Sequence, residues 1–164
     1  MRLIYLALSV SLLTWPGSAQ AQPLAATKAR KAKNADNSTC AAAILFEVQT
    51  GKVLFSYNAD LSRSPASPQK LLLELVVMDA IAAGEVSLDD TIRVSAEASR
   101  TGGSQVFLRE GEALPLGELL KAAVVASAND ACVAVAEHLA GTEANFVARM
   151  NTKAVELGLK HTRC

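Results

Sequence analysis

The stretch Arg63-Ser-Pro-Ala-Ser-Pro-Gln-Lys-Leu-Leu-Leu-Glu-Leu-Val-Val-Met-Asp-Ala-Ile-Ala-Ala-Gly84 decides how this chain folds. From Leu71 to Ile81, the only residues that are not apolar are Glu74 and Asp79. Prolines precede the apolar run, and a glycine follows it at the position where a glycine commonly ends a helix. We therefore predict a helix that ends near Gly84 and is buried on most of its circumference.

The first turn of this helix carries a hydroxyl and an amine on one face, because Ser67 and Lys70 are three residues apart. A serine hydroxyl becomes a good nucleophile when a neighbouring base takes its proton. A lysine can be that base when burial favours its neutral form. The N–H groups at the helix start can also hold a developing oxyanion. The structural alternative is that Ser67 caps the helix and Lys70 extends to solvent.

A second polar pattern, Val125-Ala-Ser-Ala-Asn-Asp130, lies where two apolar helices are predicted to meet. At such a junction, the Ser127 hydroxyl can relay a proton, and the Asn129 amide can bind a substrate carbonyl or steady a lysine. The structural alternative is that Ser127 ends one helix and that Asn129 or Asp130 caps the next.

The N-terminus has the pattern of a secretory signal peptide. Arg2 precedes an apolar run, Leu3 to Trp15, that is too short to span a bilayer comfortably. Ala19-Gln-Ala21 is a small-x-small cleavage site, so we predict a signal peptide over residues 1–21. Cleavage would leave an exported protein without an integral membrane span, in the periplasm or at the cell surface of a bacterium. The alternative is an uncleaved membrane anchor.

The remaining chain is expected to hold one domain over residues 40–164, preceded by a polar, lysine-rich disordered linker over residues 22–39. A formal net charge of zero argues against nucleic acid as a partner. Cys40, Cys132 and Cys164 lack the spacing of a metal site and predict no particular disulfide. We expect neither a metal nor a cofactor.

Several other elements are predicted along the chain. Two β-like runs flank a turn at Gly51, and turns are expected at Gly111 and Pro115. The predicted elements are a hairpin of 41–48 and 53–57, an extended piece within 87–94, a helical turn at 95–100, and helices at 116–126, 130–140 and 142–157. An isolated hairpin is marginal, and the very apolar helix at 71–81 needs a larger sheet to cover it.

The motifs as an ordered series resemble the D-alanyl-D-alanine carboxypeptidases, which are low-molecular-mass penicillin-binding proteins and serine peptidases related to the β-lactamases. The matching residues span about 41–162. They are Thr50-Gly-Lys-Val-Leu, Arg63-Ser-Pro-Ala-Ser-Pro-Gln-Lys, Arg100-Thr-Gly-Gly-Ser, Phe107-Leu, Ser127-Ala-Asn-Asp-Ala131, Ala136-Glu-His-Leu-Ala-Gly141 and Leu157-Gly-Leu159. The series is far more specific than any single motif.

The resemblance implies a role for each candidate site residue. Ser67 would be the nucleophile that forms an acyl-enzyme, and Lys70 would be its base. Ser127 would relay a proton, and Asn129 would contact both the substrate and Lys70. The implied substrate is a peptidoglycan stem peptide that ends in D-Ala-D-Ala, with β-lactams as inhibitors that acylate the same serine.

The resemblance also implies an α+β fold of the β-lactamase/transpeptidase type, in which an antiparallel sheet is flanked by helices. The family's lysine-threonine-glycine strand has no counterpart. Ser56-Tyr-Asn58 matches the family's serine-x-asparagine motif but precedes Ser67 in the chain. Arg100-Thr-Gly102 resembles the lysine-threonine-glycine motif but precedes Ser127, whereas the family's motif follows the serine-x-asparagine motif. We therefore expect a domain truncated before its C-terminal strands, with little or no carboxypeptidase turnover. The alternatives are a non-catalytic remnant that binds cell-wall peptide or penicillin and, less favoured, a β-lactamase.

Overall fold

The computed structural model describes residues 40–164, which belong to two compact units divided after Leu61. The predicted signal peptide and linker lie outside the described residues. The first unit holds a hairpin of strands β1 (Ala43–Phe46) and β2 (Val53–Tyr57), which pair antiparallel. Gly51 has a φ of 68° in the connecting turn, a conformation that favours glycine. The predicted hairpin is confirmed.

The second unit, Ser62–Cys164, is mainly helical. A 3₁₀ turn at Ser67–Gln69 leads into the first helix. The elements that follow are α1 (Lys70–Ala82), β3 (Thr91–Arg93), α2 (Ala96–Arg100), β4 (Ala113–Pro115), α3 (Leu116–Val125), α4 (Asn129–Ala140) and α5 (Glu143–Glu156). The four predicted helices and the predicted helical turn at 95–100 are confirmed, with ends that differ by a few residues.

Strand β4 was not predicted, because Gly111 and Pro115 indicated turns there. It pairs antiparallel with β3, and Ile92 lies opposite Leu114 in the register. A strand of three residues that ends in proline has too few positions to show an alternating pattern.

The predicted stop of α1 at Gly84 is confirmed. Gly84 has a φ of 73° and donates its N–H to the carbonyl of Ile81, while Glu85 donates to the carbonyl of Ala80. These bonds satisfy carbonyl groups that the end of a helix otherwise leaves without partners. Within residues 40–164, none of the helices has the length and apolar character needed to cross a bilayer.

Helix α4 is the centre of the second unit. It packs against α2, α3, α5 and β3, and seven of its residues are buried. The buried residues from Ala131 to Ala136 are alanine, cysteine and valine, which let neighbouring helices approach closely. Phe146 of α5 and Leu119 of α3 are fully buried in the same core. This packing fixes the N-terminus of α4, where Asn129 lies.

The prediction that α1 is buried on most of its circumference is wrong for the described structure. Leu72, Val76 and Val77 are buried, but Leu71 and Met78 are 63% and 55% exposed. The sheet of the second unit, β3 with β4, has two three-residue strands and is too small to cover both faces of α1. Burial is therefore confined to the face of α1 that the helices of this unit cover.

Candidate active site

The start of α1 places an amine inside the second unit and a hydroxyl at its surface. Ser67 lies exposed in the 3₁₀ turn, and Lys70 is the half-buried first residue of α1. The residue before Ser67, Ala66, has a φ of 50°, so the chain turns sharply into the helix. The alternative in which Lys70 extends to solvent is wrong, because its ammonium group faces Ser127 and Asn129.

Lys70 Nζ donates to three oxygen atoms. It lies 2.9 Å from Ser127 Oγ and 2.7 Å from Asn129 Oδ1, and it also donates to the backbone carbonyl of Ser127. A protonated lysine has three N–H donors, so each donor of Lys70 has an acceptor. Hydrogen bonds from a charged donor are among the stronger ones in proteins. Lys70 therefore ties the start of α1 to the junction between α3 and α4.

Ser127 links the amine to the first serine. Its Oγ accepts from Lys70 Nζ and donates to Ser67 Oγ at a distance of 2.9 Å. Ser127 has a φ of 53°, a left-handed conformation that costs of order 1–3 kcal/mol for a residue other than glycine. The hydrogen bond from Ala128 N to the carbonyl of Ala122 holds the chain in this turn. The bonds at the junction thus offset the strain that aims the Ser127 hydroxyl at Ser67.

Asn129 is held by the loop that follows α2. Its Nδ2 donates to the Gly102 carbonyl at 2.8 Å, and its backbone N–H donates to the Ser104 carbonyl at 2.7 Å. With Nδ2 facing a carbonyl, Oδ1 is the atom that faces Lys70. The alternative in which Asn129 or Asp130 caps α4 is wrong, because the capping residue is Ala128 and no side chain caps this end.

The structure thus brings all four candidate residues together. Ser67, Lys70, Ser127 and Asn129 form one hydrogen-bonded group, although they lie up to 62 positions apart in the sequence. Of the two short motifs set aside above, Ser56 and Tyr57 lie on β2 in the first unit. The other supplies the Gly102 carbonyl that orients Asn129.

Asp130 is a functional candidate that sequence reasoning considered only as a helix cap. Its side chain is 1% exposed, and its carboxylate accepts from the backbone N–H groups of Val106, Leu108 and Ala131 at 3.0–3.3 Å. In the sequence, an acidic residue directly before an apolar helical run is typical of the first turn of a helix and gives no signal of burial. The two loop partners lie 24 and 22 positions away and show no recognisable pattern.

A cavity of about 370 Å³ lies beside Lys70 in the second unit. Its lining includes Asn129, Cys132, Phe146 and Cys164. Burial raises the pKa of the Cys132 thiol from 9.0 to about 11, against the weaker opposing effect of Lys70. Because the thiolate is the reactive form, Cys132 is not a competing nucleophile at neutral pH. Among residues 40–164 there is no group of three or more His, Cys, Asp or Glu side chains that could hold a metal ion.

The sequence of this chain matches a family model over most of its length. The model described as D-alanyl-D-alanine carboxypeptidase matches residues 28–164. The chain belongs to the D-alanyl-D-alanine carboxypeptidase family. It is 46% identical over 120 residues to the carboxypeptidase DacF of Bacillus subtilis, a match that covers 73% of this chain and 31% of DacF. The chain therefore spans about a third of the length of this relative.

Solved structures of the family share the fold of the chain. The D-alanyl-D-alanine carboxypeptidase DacD from Francisella tularensis superposes with a TM-score of 0.74 at 30% identity, over 92% of this chain and 36% of that one. Penicillin-binding protein D2 from Listeria monocytogenes, in an ampicillin-bound form, gives 0.63 at 29% identity, over 71% of this chain and 46% of that one. The predicted family and its α+β, transpeptidase-like fold are confirmed.

Proposed function

We propose that this chain carries the acylation centre of a serine-type D-Ala-D-Ala carboxypeptidase, with Ser67 as the nucleophile. The observation that supports the proposal is the continuous hydrogen-bonded path from Lys70 Nζ through Ser127 Oγ to Ser67 Oγ. Membership of the carboxypeptidase family supports the substrate, a peptidoglycan stem peptide that ends in D-Ala-D-Ala.

In the first step, protons move along this hydrogen-bonded path from Ser67 through Ser127 to Lys70. After Lys70 loses one proton, its lone pair accepts the Ser127 hydroxyl proton while Ser127 accepts the proton of Ser67. The direction of such a chain can reverse because hydroxyl hydrogens rotate. Ser67 Oγ then attacks the carbonyl carbon of the bond between the two D-alanines. The carbonyl oxygen becomes an oxyanion, which the backbone N–H of Ser67 can stabilise.

The second step returns the proton to the leaving group. The C–N bond breaks, and the amine of the terminal D-alanine takes a proton from Lys70 through Ser127. This leaves an ester between Ser67 and the shortened peptide. Lys70, neutral again, takes a proton from a water molecule that attacks the ester carbonyl carbon. The bond from that carbon to Ser67 Oγ then breaks, and Lys70 returns the proton to Ser67 Oγ through Ser127. The products of the full cycle would be the shortened peptide, free D-alanine and the regenerated hydroxyl of Ser67, and we expect little or no such turnover from this chain.

Asn129 is proposed to bind substrate while it orients Lys70. Its Oδ1 accepts from Lys70, and one of its two Nδ2 hydrogens points to the Gly102 carbonyl. The second hydrogen remains as a donor for a substrate carbonyl. The amide can therefore connect substrate position to the geometry of the base.

The proposal is tested by the intact mass of the purified chain before and after incubation with excess benzylpenicillin. A β-lactam acylates the catalytic serine as a substrate mimic, so we expect a stoichiometric adduct on the chain and none on the Ser67→Ala variant. Ser99→Ala is a matched control, because Ser99 is half-buried in α2 and its hydroxyl donates to the Ala96 carbonyl.

Each result of this experiment has a different meaning. A stable adduct on Ser67 supports the acylation centre. An adduct that forms and decays within seconds, with hydrolysed penicillin as product, would indicate a β-lactamase instead. A folded chain without an adduct would contradict the proposal and favour a non-catalytic protein that binds cell-wall peptide.

We also propose that the protein works outside the cytoplasmic membrane, where peptidoglycan lies. The support is the signal-peptide pattern of residues 1–21. Expression in a bacterium followed by fractionation and N-terminal mass analysis tests this point. A periplasmic or surface product that begins at Gln22 is expected, whereas a cytoplasmic product that retains Arg2 to Ala21 would contradict export.

A further inference from the structure

Asp130 is the one charged side chain among residues 40–164 that is fully buried. A buried carboxylate is costly unless its oxygens accept hydrogen bonds. Its Oδ2 accepts from Leu108 N at 3.0 Å, and its Oδ1 accepts from Val106 N at 3.3 Å and from Ala131 N at 3.0 Å. Two of these three donors belong to the loop between α2 and β4, so the carboxylate anchors that loop to α4.

The anchored loop is also the one that orients Asn129. The carbonyls of Gly102 and Ser104 accept from Asn129 Nδ2 and from its backbone N–H. Loop and helix are therefore joined by two adjacent residues of α4: Asp130 accepts from the loop and Asn129 donates to it. The loop backbone is tightly turned, since Gly103 and Phe107 have φ values of 87° and 60°.

From this arrangement we propose that Asp130 is a positioning residue for the Lys70 centre. By holding the amides of Val106 and Leu108, Asp130 keeps the Gly102 carbonyl against Asn129 Nδ2. That contact leaves Asn129 Oδ1 facing Lys70. Asp130 touches neither Lys70 nor Ser67 in this scheme and acts through the loop and Asn129. The geometric part of this inference, that Asp130 positions Asn129, stands on the contacts alone. The catalytic part, that this position affects acylation at the Lys70 centre, rests on the proposed function.

The geometric part is tested by NMR on the ¹⁵N-labelled chain, with the signals of the Asn129 side-chain amide as the readout. The deciding variant is Asp130→Asn, which keeps the size of the side chain but replaces one acceptor oxygen with a donor. We expect exchange of the Asn129 Nδ2 hydrogens with water to become about fivefold faster, the factor expected for loss of one hydrogen bond between neutral groups. The matched control is Asp90→Asn, because Asp90 accepts from the backbone N–H of Ser87 far from Asn129 in the sequence.

A purely local role for Asp130 gives a different spectrum. If the amides of Val106 or Leu108 exchange faster in Asp130→Asn while exchange of the Asn129 side-chain amide is unchanged, Asp130 anchors the loop but does not position the centre. That result would overturn the inference. Unchanged signals throughout the loop would overturn it as well. Equally faster exchange of the Asn129 side-chain amide in Asp90→Asn would point to general loosening of the unit and would also contradict the inference.

The catalytic part is tested by the kinetics of benzylpenicillin acylation. We expect Asp130→Asn to lower the acylation rate at saturating penicillin about tenfold, with less change in the concentration that gives half the maximal rate. If the unsubstituted chain forms no adduct, the proposed function fails while the NMR result still decides whether Asp130 positions Asn129. If the chain forms an adduct at the same rate with and without the substitution, the inference fails while the proposed function stands.

Discussion

Ser127 Oγ lies 2.9 Å from Ser67 Oγ and 2.9 Å from Lys70 Nζ, so a hydroxyl from the α3–α4 junction bridges the two groups of the Ser-x-x-Lys tetrapeptide. Spacing along one helix predicted that Ser67 and Lys70 share a face. The hydrogen bonds show in addition that the amine reaches the first serine through a second one. This bridge makes Ser127 the element on which the proposed proton transfer depends.

Removal of the bridge should slow acylation without unfolding the chain. In Ser127→Ala the path from Ser67 to Lys70 is broken, and we expect the rate of acylation by a fluorescent penicillin to fall by about 10²-fold or more, as for loss of general acid–base catalysis. Lys70 still has the carbonyl of residue 127 and Asn129 Oδ1 as acceptors. Stopped-flow fluorescence gives the rate, and circular dichroism checks the fold.

The control for this prediction is Ser99→Ala, which removes a hydroxyl of α2 that bonds only to its own helix in the described contacts. It should leave the acylation rate unchanged. An unchanged rate in a folded Ser127→Ala variant would mean that Lys70 takes the proton of Ser67 directly or that another group is the base.

Burial of Cys132 predicts slow alkylation in the folded chain. Its pKa is raised from 9.0 to about 11, so the folded chain carries about 100-fold less thiolate at pH 8 than an exposed thiol would. Raising the pH from 8 to 9 should increase the rate of Cys132 alkylation in the folded chain, but that rate should stay below the rate in the unfolded chain. Iodoacetamide labelling followed by peptide mass mapping, with and without urea, measures this. Equal alkylation rates in the folded and unfolded chain would show that the Cys132 thiol is accessible and that its pKa is not raised.

The two faces of α1 should differ in their effect on stability. Leu72 is 6% exposed and Leu71 is 63% exposed, although they are neighbours in the same helical turn. Leu72→Ala should lower the free energy of unfolding by about 2–4 kcal/mol, because it removes buried apolar surface and leaves a cavity. Leu71→Ala should change it by less than about 0.5 kcal/mol. Urea unfolding followed by circular dichroism compares the two; equal losses would mean that both faces of α1 are buried in solution.

The sequence predicted the elements of the site well because local patterns specify them. Pro68, the apolar run and Gly84 determine where α1 begins and ends, and those signals act within a few residues of one another. The burial of α1 was predicted less well. An apolar run indicates that a face can be buried, but only tertiary structure determines whether another element covers Leu71 or Met78.

The supporting contacts of the site are the part that the sequence could not predict. Asn129 and Asp130 both bond to a loop whose residues lie 22 to 27 positions earlier. Such pairs have no period and no fixed spacing, so neither helical nor strand patterns reveal them. Strand β4 was missed for a related reason: three residues carry too little pattern, and the pairing with β3 is what defines it.

The loop at Gly102 and Gly103 provides a test of the Asn129 geometry with a neighbouring control. A Cβ at Gly103 would lie 2.6 Å from Asn129 Nδ2, closer than real Cβ contacts, and Gly103 has a φ of 87°. Gly103→Ala should therefore displace the Asn129 amide and slow acylation by benzylpenicillin about tenfold, the loss expected when one hydrogen bond to a charged group is removed. Gly102→Ala adds the same methyl group where no atom lies within 4 Å, so it should acylate at the original rate. Equal rates for both variants would show that the position of Asn129 does not control acylation, whereas equal losses would point to a general effect of stiffening the loop.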